Sequence, residues 1–321
     1  MIILPPFRGM RWCLLGLVLF AGLLLGPSVV QPQKLEPPAG RREEAAAPRK
    51  MPASLRVAAV QMRSSRDLAE NVTHIQKFLR RCGKDGVRVA VFPECALTGY
   101  YNDLIPKVSA EQLAEAERRV ARTCREAGIY AVIGTPHRAA DKLFNSAVVI
   151  DPAGKVLERY HKVQLAESWP EAGDHLSVFK VDGVPCCIII CHDERYPALV
   201  RLPVLAGARV LFYLSHESDI RAEHKINPYR AQIQARAVEN TIYIVHANAP
   251  ANRDATGSHG QSRLIAPDGN LLREASLFGE EVLAETFDLS KATAENAKRS
   301  LRRGPLTQWW REGLKQVRMV E

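Results

Sequence analysis

The sequence has no pair of CxxC motifs and no zinc-finger spacing, so its seven cysteines do not form a structural zinc site. Cys13, Cys82, Cys95, Cys124, Cys186, Cys187 and Cys191 fall mostly inside apolar or helical stretches, not in loops at framework spacing. Cys186 and Cys187 are adjacent and point to opposite faces of a strand. The set therefore reads as mainly buried free thiols acting as small hydrophobes. No pair of histidines stands four apart on a helix, which removes one common metal-binding pattern. The net charge is +9, yet basic residues are mixed with acidic ones and gather only at RRCGK and KRSLRR. Without an aromatic-interleaved basic stripe, nucleic acid is not an expected partner. No apolar run reaches the roughly 20 residues that comfortably span a bilayer.

The longest such run is WCLLGLVLFAGLLLG, residues 12–26, with Arg8 and Arg11 before it and Pro27 and Ser28 after it. A basic segment followed by a short apolar one reads as a secretory signal over residues 1–30, or as an N-terminal anchor if it is retained. There is no lipobox, because Cys13 opens the run, whereas a lipidated cysteine would follow it. The expectation is export to a periplasmic or extracellular location, with a membrane tether through residues 12–26 if the signal stays. Residues 31–53 are rich in Pro, Ala and charge and carry no hydrophobic period, so they read as a disordered linker. Composition does not break between residues 54 and 290. A single domain over 54–304 follows, with a tail at 305–321 whose Trp pair is expected to pack on a neighbouring subunit.

What is present has ordinary globular proportions, 46% hydrophobic and 25% charged. From residue 55 short β-rich runs alternate with longer helical ones. LRVAAVQM is a strand, residues 67–82 carry helical spacing, 86–94 is a buried strand, 109–128 a helix stopped by Gly128, and 129–136 a strand. Turn dipeptides then divide SAVVIDPAGKVLERY and SVFKVDGVPCCIII into hairpins, the second through Asp182-Gly183. Helices near 195–206 and 228–240 alternate with strands at 208–215 and 241–249. SRLIAPDGNLLREA forms a further hairpin, and residues 282–290 are the last clear strand. Interleaved helices with inserted hairpins exclude a purely parallel sheet and favour a layered α/β sandwich.

Three apolar strands each lead into a reactive group: VAVFPECALTGY into Glu94, VLERYHKVQLAES into Lys162, and CCIIICHDERYP into Cys191. Singly, they read as a solvated carboxylate, an exposed lysine and a buried thiol. Jointly they form an acyl-transfer site. A carboxylate in an apolar pocket can take a thiol proton and later return it to a leaving amine, while an ammonium stabilises the oxyanion. No metal is required. A competing set, His161, His192, Asp193 and His216, would hold a divalent ion instead.

FPECALTGY, RYHK and ICHDERYP, with NSAVVIDPAGKV, ARAVEN and GSHGQSRLIAPDGN, resemble the nitrilase, or carbon-nitrogen hydrolase, superfamily over about residues 55–290. The resemblance implies a four-layer α-β-β-α sandwich, a homodimer joined through helix layers, no cofactor, and cleavage of a small-molecule amide, N-carbamoyl or ureido compound. It implies Glu94 as general base and acid, Lys162 as oxyanion cation and Cys191 as nucleophile. A second glutamate is implied shortly after the lysine: Glu167 fits its spacing, with Glu171 as the alternative. The His192 N–H would join the oxyanion hole. Arg195 would meet a substrate carboxylate or form a salt bridge with Asp193 or another acid. Cys-His-Asp replaces the Cys-Trp-Glu typical of true nitrilases, which favours amidase, carbamoylase or ureidopropionase-like chemistry. FYLSHES departs from the usual pattern and puts His216 and Glu217 at the expected pocket wall, His216 against substrate or at the edge of the core. A catalytically silent scaffold, or acyl transfer to an amine, is the alternative to hydrolysis.

Overall fold

The computed structural model describes residues 51–302 and 304–320. The signal or anchor assigned to residues 1–30 and most of the linker lie outside these residues, and among the described residues no helix is long and apolar enough to cross a membrane.

The chain begins with β1 (Ser54–Gln61), α1 (Leu68–Lys84), β2 (Val89–Val91), α2 (Ala110–Ala127) and β3 (Tyr130–Ala139). Both helices start where the sequence supplies a cap. The Asp67 side chain accepts from the N–H groups of Ala69 and Glu70, and Ser109 forms a capping box with Gln112. Gly128 ends α2 at φ 63°, a left-handed conformation that glycine adopts without a Cβ penalty. The hairpin β4 (Lys142–Ile150) and β5 (Val156–His161) follows, then β6 (Leu176–Val181) and β7 (Val184–Ile190). After these come α3 (Ala198–Ala206), β8 (Val210–Ser215), α4 (Glu223–Asn240) and β9 (Tyr243–Asn248). The chain closes with β10 (Arg263–Ile265), β11 (Leu271–Glu274), β12 (Glu281–Asp288), α5 (Glu295–Arg299), α6 (Thr307–Leu314) and β13 (Val317–Met319).

Six strands form one sheet in the order β12-β1-β2-β3-β4-β5, and seven form another, β11-β10-β9-β8-β7-β6-β13. In the first, β1, β2 and β3 run parallel; in the second, β7, β8 and β9 do. Val57, Val91 and Val149 meet Ile188, Phe212 and Val245 between the sheets. On the outer face of the first sheet α1 and α2 bury Val72, Ile75 and Val120 over Val60 and Ile133. On the second, α3 and α4 bury Val200 and Ile233 over Ile189 and Ile244. The result is the expected α-β-β-α sandwich. Strand alternation divides the thiols: Cys186 faces the inter-sheet core and Cys187 the helix side, both fully buried.

Three elements depart from the sequence reading. The strand expected over 86–94 keeps only Val89–Val91, because the chain leaves the sheet into the turn that carries Glu94. The helix expected from 228 begins at Glu223 and runs through Pro228, which forfeits only one N–H near the N-terminus. The tail, for which no strand was expected, adds one to its own sheet. There β13 pairs in parallel with β6, and the Trp310 ring sits under the Arg201 guanidinium at 5.7 Å.

Candidate active site

Glu94, Lys162 and Cys191 leave their strands at one end of the sandwich. Glu94 sits in a turn just past β2 that Gly134 of β3 admits: a Cβ there would lie 2.2 Å from the Pro93 carbonyl oxygen and 2.6 Å from the Glu94 Cα. Cys95 next to it takes φ 52°. Lys162 follows β5 directly and is fully buried. Cys191 opens a short 3₁₀ turn, Cys191–Arg195, at φ 43°, a strained left-handed conformation for a non-glycine residue that costs about 1–3 kcal/mol and is characteristic of functional positions. Asp193 holds that turn. Its carboxylate accepts from the Tyr160 hydroxyl at 2.9 Å, the Ile190 N–H at 3.0 Å, the Gln164 N–H at 2.7 Å and the Val163 N–H at 3.2 Å. The cysteine turn is thereby tied to the segment that carries Lys162.

Lys162 Nζ lies 2.8 Å from Glu94 Oε1 and 2.6 Å from Glu167 Oε1. Glu94 also accepts from Asn145 Nδ2 at 2.8 Å and, through Oε2, from the His216 N–H at 2.9 Å. Glu167 accepts from the Tyr100 hydroxyl at 2.6 Å and Asn145 Nδ2 at 3.3 Å. One ammonium therefore serves two buried carboxyl groups, and their pKa values separate. Burial raises Glu94 to about 7, partly offset by the Lys162 charge. Burial also works against ionised Glu167, but the Lys162 charge and the hydrogen bonds from Lys162 and Tyr100 outweigh it and bring Glu167 to about 2. For Lys162 burial opposes the charge, and Glu94, Cys191 and Glu167 more than compensate, so it stays cationic. Burial and the Glu94 charge push the Cys191 thiol well up, with Lys162 acting in the opposite direction. The resting state is thus a protonated thiol beside a carboxyl group poised near neutrality.

Of the two candidates for the second glutamate, Glu167 is the one brought to Lys162; Glu171 is exposed and engages Leu143 through its backbone. His216 contributes its N–H to Glu94, and its ring stacks on Tyr100 at 4.6 Å and 7°. Its ring is held neutral, burial bringing its pKa to about 4. Cys191, His192, Glu194, His216 and Glu217 line a cavity of about 460 Å³. Glu94 lines a smaller one of about 240 Å³ with Arg63, and the Tyr100–His216 stack borders both. Arg195 does not join them. It is exposed, with its guanidinium 5.6 Å over the Tyr229 ring, and Asp193 is occupied by other donors, so neither expectation for Arg195 describes its position. The alternative metal set is not gathered either: His161 stacks on Phe144 and abuts His137, away from the Asp193 carboxylate. Among the described residues no three His, Cys, Asp or Glu side chains are placed to hold a metal ion.

Sequence reasoning missed Asn145 and Tyr100. Both stood in stretches it had singled out, as the first residue of NSAVVIDPAGKV and the last of FPECALTGY.

Comparison with known proteins places this geometry. The chain is 26% identical to the omega-amidase NIT2 of Homo sapiens over 74% of its length and 90% of that protein. It is 27% identical to the 2-oxoglutaramate amidase of Bacillus subtilis over 70% of its length and 86% of that protein. Among solved structures, an amidase of the nitrilase superfamily from Nesterenkonia AN1 superposes with a TM-score of 0.70 at 25% identity, covering 80% of this chain and 97% of that one. Another structure of an amidase from that genus, carrying acrylamide added at its active-site cysteine, superposes at 0.67 with 25% identity over 76% of this chain and 99% of the other. The carbon-nitrogen hydrolase family model matches residues 56–296, most of the chain. The protein therefore belongs to the carbon-nitrogen hydrolase family, has the fold of the nitrilase-superfamily amidases, and is a hydrolase of carbon-nitrogen bonds.

Proposed function

We propose that the protein hydrolyses a small-molecule amide, N-carbamoyl or ureido compound through a thioester on Cys191. The observation that carries this reading is the buried Lys162 held between Glu94 and Glu167, within electrostatic reach of the Cys191 thiol. Cys191 Sγ attacks the carbonyl carbon while Glu94 takes the thiol proton. The oxyanion that forms is met by the Lys162 ammonium and the His192 N–H. Glu94 then passes its proton to the nitrogen, the C–N bond breaks, and ammonia or an amine leaves. Water attacks the thioester as Glu94 takes one of its protons. The C–S bond breaks, the thiolate recovers the proton, and the acid departs. Glu167 and Asn145 hold Lys162 and Glu94 in place throughout.

The amidase names among the relatives support the primary-amide branch of this reading. The test is ammonia release across amides and N-carbamoyl compounds, with Cys191→Ala as control. Turnover that survives in Cys191→Ala would remove the thiol from the mechanism. Glu-dependent labelling separates hydrolysis from a silent scaffold: an electrophilic thiol probe should react with Cys191 faster in the parent protein than in Glu94→Gln.

A further inference from the structure

Asn248 is the last residue of β9 and has no part in the chemistry above. The strand is buried throughout, so after the run YIVHA a polar amide without exposed surface must find its partners inside the protein. Parallel pairing sets it beside Ser215, the last residue of β8. Its Oδ1 accepts from the Ser215 hydroxyl at 3.0 Å and from the Glu217 N–H at 3.2 Å. The same oxygen accepts from the Ser258 hydroxyl at 2.8 Å and the Ala249 N–H at 3.0 Å, while Nδ2 donates to the Gly260 carbonyl at 2.7 Å. Backbone N–H groups can only donate and a carbonyl can only accept, so these contacts fix which way the amide points. One side chain thereby ties the segment leaving β8 to the loop that leads into β10.

Between the two residues that Asn248 grips stands His216. The Ser215 carbonyl accepts from the Glu94 N–H at 3.3 Å, and the His216 N–H reaches Glu94 Oε2 at 2.9 Å. The Cys191 thiol faces the His216 carbonyl, with Sγ 3.9 Å from its oxygen. General base and nucleophile therefore rest on one short stretch of backbone, which Asn248 holds on both sides of His216. The His216 N–H favours the ionised form of Glu94. The other titratable groups set around Glu94 are Lys162, Glu167, Cys95, Tyr100 and Cys191, and none of these bonds to Asn248. Glu217 and the neutral His216 ring belong to the held segment itself.

We propose that Asn248 is a positioning residue for the hydrolysis: by holding Ser215 and Glu217 it fixes the His216 peptide against Glu94 and Cys191. The inference rests on the reading of Glu94 as the base. It is tested by the pH profile of kcat/KM on an accepted amide, in the parent and in Asn248→Ala. Releasing the segment weakens the His216 N–H bond to Glu94, and the acid limb should move up by about one unit, the lower end for a hydrogen bond to a charged group. The rate of Cys191 alkylation by iodoacetamide, followed against pH, should move in the same way and needs no turnover. Two further variants separate positioning from packing. Ser215→Ala removes one of the two bonds to the held segment and should move the limb in the same direction by about half as much. Ser258→Ala takes a donor from the same Asn248 oxygen without touching that segment, and should lower Tm while leaving the limb in place. An Asn248→Ala protein that loses rate or stability with the parent's acid limb overturns the inference, as does a Ser258→Ala shift as large as that of Ser215→Ala. If Asn248→Ala does not fold, the comparison of the two serine variants decides. An acid limb that persists unchanged in Glu94→Gln would instead remove Glu94 as the base, and the inference would fall with that reading.

Discussion

Replacing Gly134 by alanine tests how the sheet delivers Glu94. Gly134 lies in β3, opposite Ala147 of β4, and touches none of the reacting groups with a side chain. An added Cβ would sit 2.2 Å from the Pro93 oxygen, 2.5 Å from the Cys95 nitrogen and 2.6 Å from the Glu94 Cα, all of them backbone atoms that cannot swing aside. Moving the Pro93 oxygen from 2.2 Å out to 3.0 Å requires a shift of about 0.8 Å. The Glu94 carboxyl depends on contacts of 2.8, 2.8 and 2.9 Å to Lys162, Asn145 and the His216 N–H. A displacement of that size takes at least one beyond the roughly 3.2 Å limit of a good hydrogen bond. The expected loss in kcat is on the order of 100-fold, typical of a misplacement near 1 Å. The expected loss of stability is about 1–3 kcal/mol from overpacking. Thermal melting gives the second quantity, and steady-state kinetics well below the variant's own Tm give the first. A folded Gly134→Ala protein with the parent's kcat would refute the claim that this close approach sets the base.

Other outcomes follow from the same geometry. Glu94 must be ionised to accept the thiol proton and burial raises its pKa to about 7, so kcat/KM should fall as pH drops through that value, about ten-fold per unit below it. An acid limb centred near the ordinary glutamate value would contradict the burial argument. Tyr100→Phe keeps the stack on His216 but removes the 2.6 Å donor to Glu167, and should lower kcat by about ten-fold with little change in KM. Because β13 covers the edge of β6, removing residues 305–321 should lower Tm by several degrees; subunit dissociation at unchanged Tm would contradict the packing described.

The layered fold was legible because both periodicities are clear in the sequence. Cys186, Ile188 and Ile190 alternate with Cys187 and Ile189, and Val72, Ile75 and Leu79 repeat at helical spacing. The three strand-end residues were legible for a related reason, since a charged or nucleophilic group directly after a buried strand conflicts with simple packing. What escaped depends on register and side-chain direction. Asn145 reaches Glu94 because of how β4 pairs with β3, and nothing local to NSAVV reveals that. The acids after Cys191 separate by what each meets once folded: Asp193 closes the turn, and Glu194 shares a tyrosine with Glu217. Arg195 turns outward over Tyr229, a direction set by the 3₁₀ turn. The strand β13 has only three residues and owes its existence to the open edge of β6, so no run of apolar residues announced it.

The central claim is a covalent acyl-enzyme on Cys191, and acid-quench mass spectrometry of the protein during turnover of an accepted amide tests it most directly. The account predicts an adduct of the acyl mass on the peptide containing Cys191, absent in Cys191→Ala and released on addition of hydroxylamine. Turnover at an undiminished rate with no adduct on Cys191, in a quench faster than the turnover time, would contradict it.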